Sequence, residues 1–163
     1  MEIIVGFETK EEAFMVKILA LDPSGTGTTG MFLRNLTPDE PYVFSEFKSA
    51  SWKEHVDFIK EIVEKWKPDL LLYENTNYLH QRQHSGTVNL LKLLGAIESL
   101  SVKTESILVS QVKDLKSQLF KNQSQISGLE FKYGQGWFYK SQKISLHQLD
   151  AFLVYWLWKE KNA

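Results

Sequence analysis

The stretch Phe14-Met15-Val16-Lys17-Ile18-Leu19-Ala20-Leu21-Asp22-Pro23-Ser24-Gly25 decides the fold. Its first eight residues are apolar but for Lys17, include β-branched Val16 and Ile18, and break off at Asp-Pro-Ser-Gly. A short, continuous apolar run closed by a turn signal is the pattern of a strand buried on both faces. Such strands belong to sheets covered by helices on either side. The run therefore predicts an α/β protein in which a buried strand delivers Asp22 at its C-terminal tip. Asp69-Leu70-Leu71-Leu72-Tyr73 repeats the pattern and ends at Glu74.

Working outward, 25–30 is a Gly/Thr turn, and Met31–Arg34 and Tyr42–Phe47 read as two strands in hairpin succession around the turn-rich 35–41. Ser51-Trp-Lys-Glu54 has the capping-box pattern, and Trp52, Val56, Ile59, Val63 and Trp66 recur at helical spacing until Pro68. Thr87, Leu90, Leu91, Leu94 and Ile97 mark another helix, 106–109 a strand, 111–120 a short helix and 146–159 a last one. Residues 121–143 have no clear period. The order β-β-β-α-β-α-β-α-α implies a mixed sheet flanked by helices. Residues 1–13 read as an acidic extension and 14–163 as one domain, since no linker or repeat divides them.

The 163 residues suffice for a single core burying about two thirds of the unfolded surface. Hydrophobic residues at 43% and charged ones at 24% exclude disorder and low complexity. With no cysteine, a disulfide framework, a thiolate metal site and a cysteine nucleophile are all excluded, so any metal is held by oxygen or imidazole. No run approaches the ~18 apolar residues of a membrane span, and the first residues lack a signal-peptide pattern. A cytoplasmic protein with no membrane partner is the expectation. The net charge of −1 hides an asymmetry. Six lysines against Asp114 and Glu130 give residues 111–143 a net +4, leaving −5 for the rest.

Three acids stand out by position: Asp22 and Glu74 at predicted strand ends, and Asp150 in an apolar helix three residues after His147. Ligands of open α/β sheets bind at strand C-termini, and residues three apart share a helix face. Four oxygen or imidazole donors converging there suit Mg²⁺ or Mn²⁺, and two such ions roughly 3.5–4 Å apart can drive phosphodiester hydrolysis. Each residue also has a plainer reading: Asp22 as a turn initiator, Glu74 as a solvated strand end, His147 as a structural histidine. Asp150 fits a plain reading least, because an unpaired carboxylate on a buried face is costly.

As an ordered set, Leu-Asp22-Pro-Ser-Gly, Tyr-Glu74 and His147-x-x-Asp150-Ala resemble the signature of the RuvC-type Holliday-junction resolvases, members of the ribonuclease-H-like nuclease superfamily. The resemblance spans about residues 14–159 and departs in Ser24, which stands within the family's Asp-Pro-Gly, and in the extra acidic extension 1–13. It implies a ribonuclease-H-like single domain and a metal-dependent endonuclease selective for branched DNA, such as four-way junctions. It further implies two Mg²⁺ held by Asp22, Glu74, His147 and Asp150, and a homodimer through the helix containing Leu94-Gly95-Ala96. The setting would be nucleoid or viral DNA. A DNA-stacking aromatic follows the glutamate in that family; Tyr78 is the nearest here. Candidate DNA contacts are Tyr78, Arg82, Lys113, Lys116, Lys132, Lys140 and Lys143.

Other readings compete. Gly25-Thr-Gly-Thr-Thr-Gly30 fits a dinucleotide-binding fingerprint, but the apolar residues after Gly30 run only to Pro38 and read as a strand, not the required helix. No lysine follows for a phosphate loop, and an actin-like ATPase needs two such domains. A non-catalytic module is the other class, with lysines among Tyr133, Trp137, Phe138 and Tyr139 holding single-stranded or branched nucleic acid. His80 and His84 lack the acid of a metalloprotease pattern and suit polar contacts to DNA. Trp156, Leu157 and Trp158 read either as a partner surface or as core.

Overall fold

A computed structural model describes residues 17–35, 37–76 and 85–162. The extension 1–13 and the candidates Tyr78, His80, Arg82 and His84 lie outside the described residues. Five strands form the central sheet: β1 (Lys17–Asp22), β2 (Thr28–Asn35), β3 (Tyr42–Lys48), β4 (Leu70–Asn75) and β5 (Thr104–Leu108). Their spatial order is β3-β2-β1-β4-β5, antiparallel across β3, β2 and β1 and parallel across β1, β4 and β5. Among the described residues four helices flank it: α1 (Trp52–Trp66), α2 (Ser85–Glu98), α3 (Val109–Lys121) and α4 (Leu146–Lys161). The expected mixed sheet between helices is the observed architecture.

Side chains alternate across a strand, so β1 feeds two cores. Leu19 and Leu21 share one with Ile59 of α1 and Leu93, Leu94 and Ile97 of α2. Ile18 and Ala20 share the other with Val112 and Leu115 of α3 and Leu149 and Phe152 of α4. This two-sided burial is why β1 and β4 read as unbroken apolar runs. Ser51 caps α1 by accepting the Glu54 N–H, and Lys67 ends it in the left-handed region at φ 48°, directly before Pro68.

Helix α4 is buried on nearly every side, with Leu149, Ala151, Phe152, Leu153, Val154, Tyr155 and Trp158 all inside. Trp158 is buried, and the half-buried Trp156 and Leu157 pack against the same core. The cover on the outer side comes from the segment whose pattern carries no period. After a short 3₁₀ turn at Gln123–Gln125, it forms a three-stranded antiparallel sheet of β6 (Leu129–Lys132), β7 (Gly136–Tyr139) and β8 (Gln142–Ile144). Leu129, Phe131, Trp137 and Ile144 face inward, and Tyr139 packs on Phe152 with ring centroids 4.7 Å apart.

One contact sets where α4 begins. A Cβ on Gly30 of β2 would lie 2.0 Å from the carbonyl oxygen of His147, so the first turn of α4 rests directly on strand backbone. Gly30 is also the register partner of Asp22. At the neighbouring turn, a Cβ on Gly25 would lie 2.6 Å from the Leu90 nitrogen, so that loop rests against α2 in the same way. Two of the three glycines of the apparent dinucleotide motif, Gly25 and Gly30, thus serve helix packing. Gly30→Ala is expected to lower the thermal midpoint by roughly 5 °C or more, since overpacking costs about 1–3 kcal/mol and each kcal/mol shifts a domain of this size by ~2–4 °C. Gly95→Ala in α2, where a Cβ meets nothing within 4 Å, is the control and leaves the midpoint unchanged or raises it. Scanning calorimetry of both variants checks the pair.

Candidate metal centre

Parallel pairing of β1 with β4 aligns Leu21 with Tyr73, so Asp22 and Glu74 emerge side by side at the C-terminal ends of the two strands. Asp150 arrives from α4, one turn beyond the contact with Gly30. Ser145 caps that helix by accepting the Gln148 N–H, Gln148 returns a bond to the Ser145 N–H, and the Ser145 hydroxyl donates to Glu46 on β3 at 2.7 Å. The helix start is therefore fixed to the sheet at two points. Asp22, Glu74 and Asp150 each offer a carboxylate oxygen, and the three oxygens lie within 4.8 Å of one another.

His147 does not join that group. Its Nδ1 lies 3.3 Å from Asp22 Oδ2 and its ring stands half exposed at the rim. Lys116 of α3 brings its ammonium to 2.8 Å from Asp150 Oδ1, an ion pair without hydrogen-bond alignment. Glu74 Oε2 and Asp150 Oδ1 are buried and accept no hydrogen bond among the described residues.

The electrostatics follow from this crowding. Burial, with the charges of Asp22 and Asp150 added, pushes Glu74 from its ordinary 4.5 up to about 8. Burial also raises Asp22, opposed chiefly by its bond to His147, and that same bond raises His147. Carboxylates held together, desolvated and short of partners are strained toward protonation unless a cation joins them. A hard divalent ion meets this need: its ligands are oxygens, as here, and Glu74 Oε2, which accepts no hydrogen bond among the described residues, is a natural donor.

A hydrogen-bonded network absent from the sequence reading supports the loop after Asp22. His55 of α1 is fully buried, with Nε2 donating to the Ser49 carbonyl at 2.7 Å and Nδ1 accepting from the Thr29 hydroxyl at 2.8 Å. Thr29 Oγ1 in turn accepts the Ser24 N–H at 3.0 Å, and Ser24 Oγ accepts the Gly27 N–H at 2.9 Å. Ser24 is thus the residue that ties the turn down. The signal for His55 is its position one residue off the apolar stripe of α1, flanked by Val56.

The lysines divide. Lys113 is exposed on α3, one turn before Lys116, and its charge acts on Glu74. Lys132 and Lys143 lie on the outer side of the small sheet. Lys140 sits at its opposite turn, over the rings of Tyr42 and Tyr139, away from the carboxylates.

Because the Glu74 pKa is raised on folding, the folded state binds the extra proton between pH 4.5 and about 8. Stability from this group is full below pH 4.5 and is lost as pH rises to about 8. Glu74→Gln is therefore expected to match wild type in metal-free buffer at pH 4 and to be more stable at pH 8.5, by on the order of a few kcal/mol. Addition of Mg²⁺ should narrow the difference by stabilising wild type. Denaturant melts at the two pH values, with and without metal, check this.

Comparison with solved structures places this geometry on a known scaffold. Thermus thermophilus RuvC in complex with Holliday junction substrate superposes with a TM-score of 0.58 at 13% identity, covering 85% of this chain and 89% of that one. A second T. thermophilus RuvC structure gives 0.54 at 17% identity, with 85% and 90% covered. No family model and no curated protein matches the sequence. With its mixed five-stranded sheet, flanking helices and acids at the strand ends, the chain has the RuvC-type, ribonuclease-H-like fold.

Proposed function

We propose that this protein is a metal-dependent endonuclease that cuts branched DNA, with four-way junctions as substrate, acting on nucleoid or viral DNA in the cytoplasm. The observation that carries the reading is the half-buried trio Asp22, Glu74 and Asp150, in which Glu74 Oε2 accepts no hydrogen bond among the described residues, at the strand ends of a RuvC-type fold. These three would hold Mg²⁺ or Mn²⁺, with His147 beside them as a fourth donor or as the group that orients Asp22. Such ions, when bound, supply activated water and neutralise charge developing on a phosphodiester. The chain's own part is positional. Asp22 and Glu74 are fixed by the sheet, Asp150 by the seated helix, and the Lys116 ammonium holds Asp150 in place while adding positive charge beside an incoming phosphate. Lys113, Lys132 and Lys143 extend that charge along the strand through contacts that carry affinity without sequence choice.

A junction has two symmetric strands to cut, which a two-fold dimer matches. The face for it is α2, where Val88 and Leu91 are exposed one turn apart and Gly95 opens onto free space on the same side. A second copy laid across this face covers both apolar residues.

Cleavage of a labelled four-way junction in Mg²⁺ tests the site. Asp22→Asn, Glu74→Gln and Asp150→Asn should each lower the rate by about 10³-fold or more, non-additively, while junction binding persists. His147→Asp should retain activity that His147→Ala loses. Wild type that binds junctions but never cuts them, or Asp150→Asn that cuts at the wild-type rate, overturns the nuclease in favour of a binding module. The dimer is tested separately: Leu91→Glu should sediment as a monomer where wild type sediments as a dimer at micromolar concentration, and a monomeric wild type with junction present overturns it.

A further inference from the structure

Four aromatic residues mark the stretch from β6 to β8 beyond Phe131, and three of them have partners. Trp137 is inside, against Phe120 and Phe131. Tyr139 packs on Phe152 and Tyr42. Phe138 lies under the Lys132 ammonium at 4.5 Å. Tyr133 is 95% exposed.

Strand register fixes where Tyr133 stands. Trp137 pairs with Ile144 and Gly136 with Lys132, so the 133–135 loop projects past the residue that precedes Ser145, the cap of α4. Ser145 is bonded to Glu46, the register partner of Gly30, which pairs with Asp22. The loop therefore rises at the end of the molecule where the carboxylates lie. It is a tight turn, with Gln135 N–H donating to the Lys132 carbonyl at 2.9 Å and Gly134 at φ +78° in the third position. That is the pattern of a type II turn, which needs glycine there and holds the preceding residue at the apex. Alternation along the strands places Glu130, Lys132, Phe138 and Lys143 together on the outer face, two lysines against one acid.

We infer that Tyr133 stacks on a nucleobase left unpaired beside the cleavage site, with Lys132 and Lys143 holding the phosphates of the same strand. The inference rests on the nuclease reading and deepens it. Within an intact duplex both faces of every base are already covered, so a rigidly presented phenol ring finds a partner only where stacking is interrupted, at a branch, gap or flap. Base–aromatic stacking tolerates any base, and flanking lysines add a salt-sensitive grip on the backbone. The ring thus selects substrate shape rather than sequence.

The experiment uses a four-way junction carrying 2-aminopurine next to the branch point, titrated with full-length protein in metal-free buffer, beside a linear duplex of the same sequence. Wild type and Tyr133→Trp should quench the probe on binding. Tyr133→Ala should leave it bright and bind the junction about 10-fold more weakly, with duplex affinity and thermal midpoint unchanged. Tyr133→Ala that matches wild type in quenching and junction affinity overturns the stacking alone. Wild type with no preference for junction over duplex overturns the stacking and the nuclease reading together.

Discussion

The close approach between Gly30 and the first turn of α4 is the constraint on which the rest of the molecule depends. Two parallel strands can deliver two acids to one point, but the third must come from another layer, and a helix packed on a sheet at ordinary side-chain distance would leave it short. With no Cβ on Gly30, the backbone of α4 descends to the backbone of β2, directly beside the register partner Asp22. The cap at Ser145 and its bond to Glu46 fix the azimuth of the helix there. The nearly continuous burial of α4 then locks its axis, so that Asp150 has a single position to occupy.

That locking lets the fold hold an arrangement that electrostatics opposes. Three carboxylates share a site with Lys116 and a half-exposed His147 as close positive partners, and burial raises both Asp22 and Glu74. Left free to move, these side chains would separate into solvent. They stay because each is attached to an element whose position is set elsewhere: β1 and β4 by two apolar cores, α4 by the core on the other face. A cation bound there would return the stability lost at the cluster, and its affinity would then depend on the rigidity of the scaffold. His55, Thr29 and Ser24 extend that rigidity to the turn after Asp22 through bonds that reach from α1.

The sequence made the central sheet and its acids legible for a physical reason: strands buried on both faces must be apolar throughout, so the first charge at the end of such a run is conspicuous. The caps of α1 and α4 and the stop at Pro68 were legible because unsatisfied backbone groups demand particular residues. The small sheet was not. Its β7–β8 turn is Lys140-Ser141, both at positive φ, where an Asn-Gly pair would have announced a two-residue hairpin. Its aromatics also fall on both faces, which erases alternation: Trp137 and Tyr139 face the core while Phe138 faces out. Gly30 carries the opposite ambiguity, because spacing alone does not distinguish a glycine that admits a phosphate from one that admits a helix, and only the strand pattern after it argues against the phosphate. Nor does sequence assign Lys116, whose pairing with Asp150 depends on how α3 lies against α4.

The small sheet and the central sheet meet the same problem from opposite sides. In the central sheet, sequence is constrained by burial on both faces, and chemistry enters only at strand ends, where the chain escapes the core. In the small sheet only one face is buried, so Leu129, Phe131, Trp137 and Ile144 complete the cover of α4 while the outer face is left to charge and rings. Because β8 runs straight into the cap of α4, this cover cannot shift without moving Asp150. Its outer face is consequently held in register with the carboxylate cluster as tightly as the inner face is with the core. A surface so tied to the carboxylates keeps a fixed distance from them, which in the proposed nuclease would set the strand held there at a fixed distance from the point of cleavage.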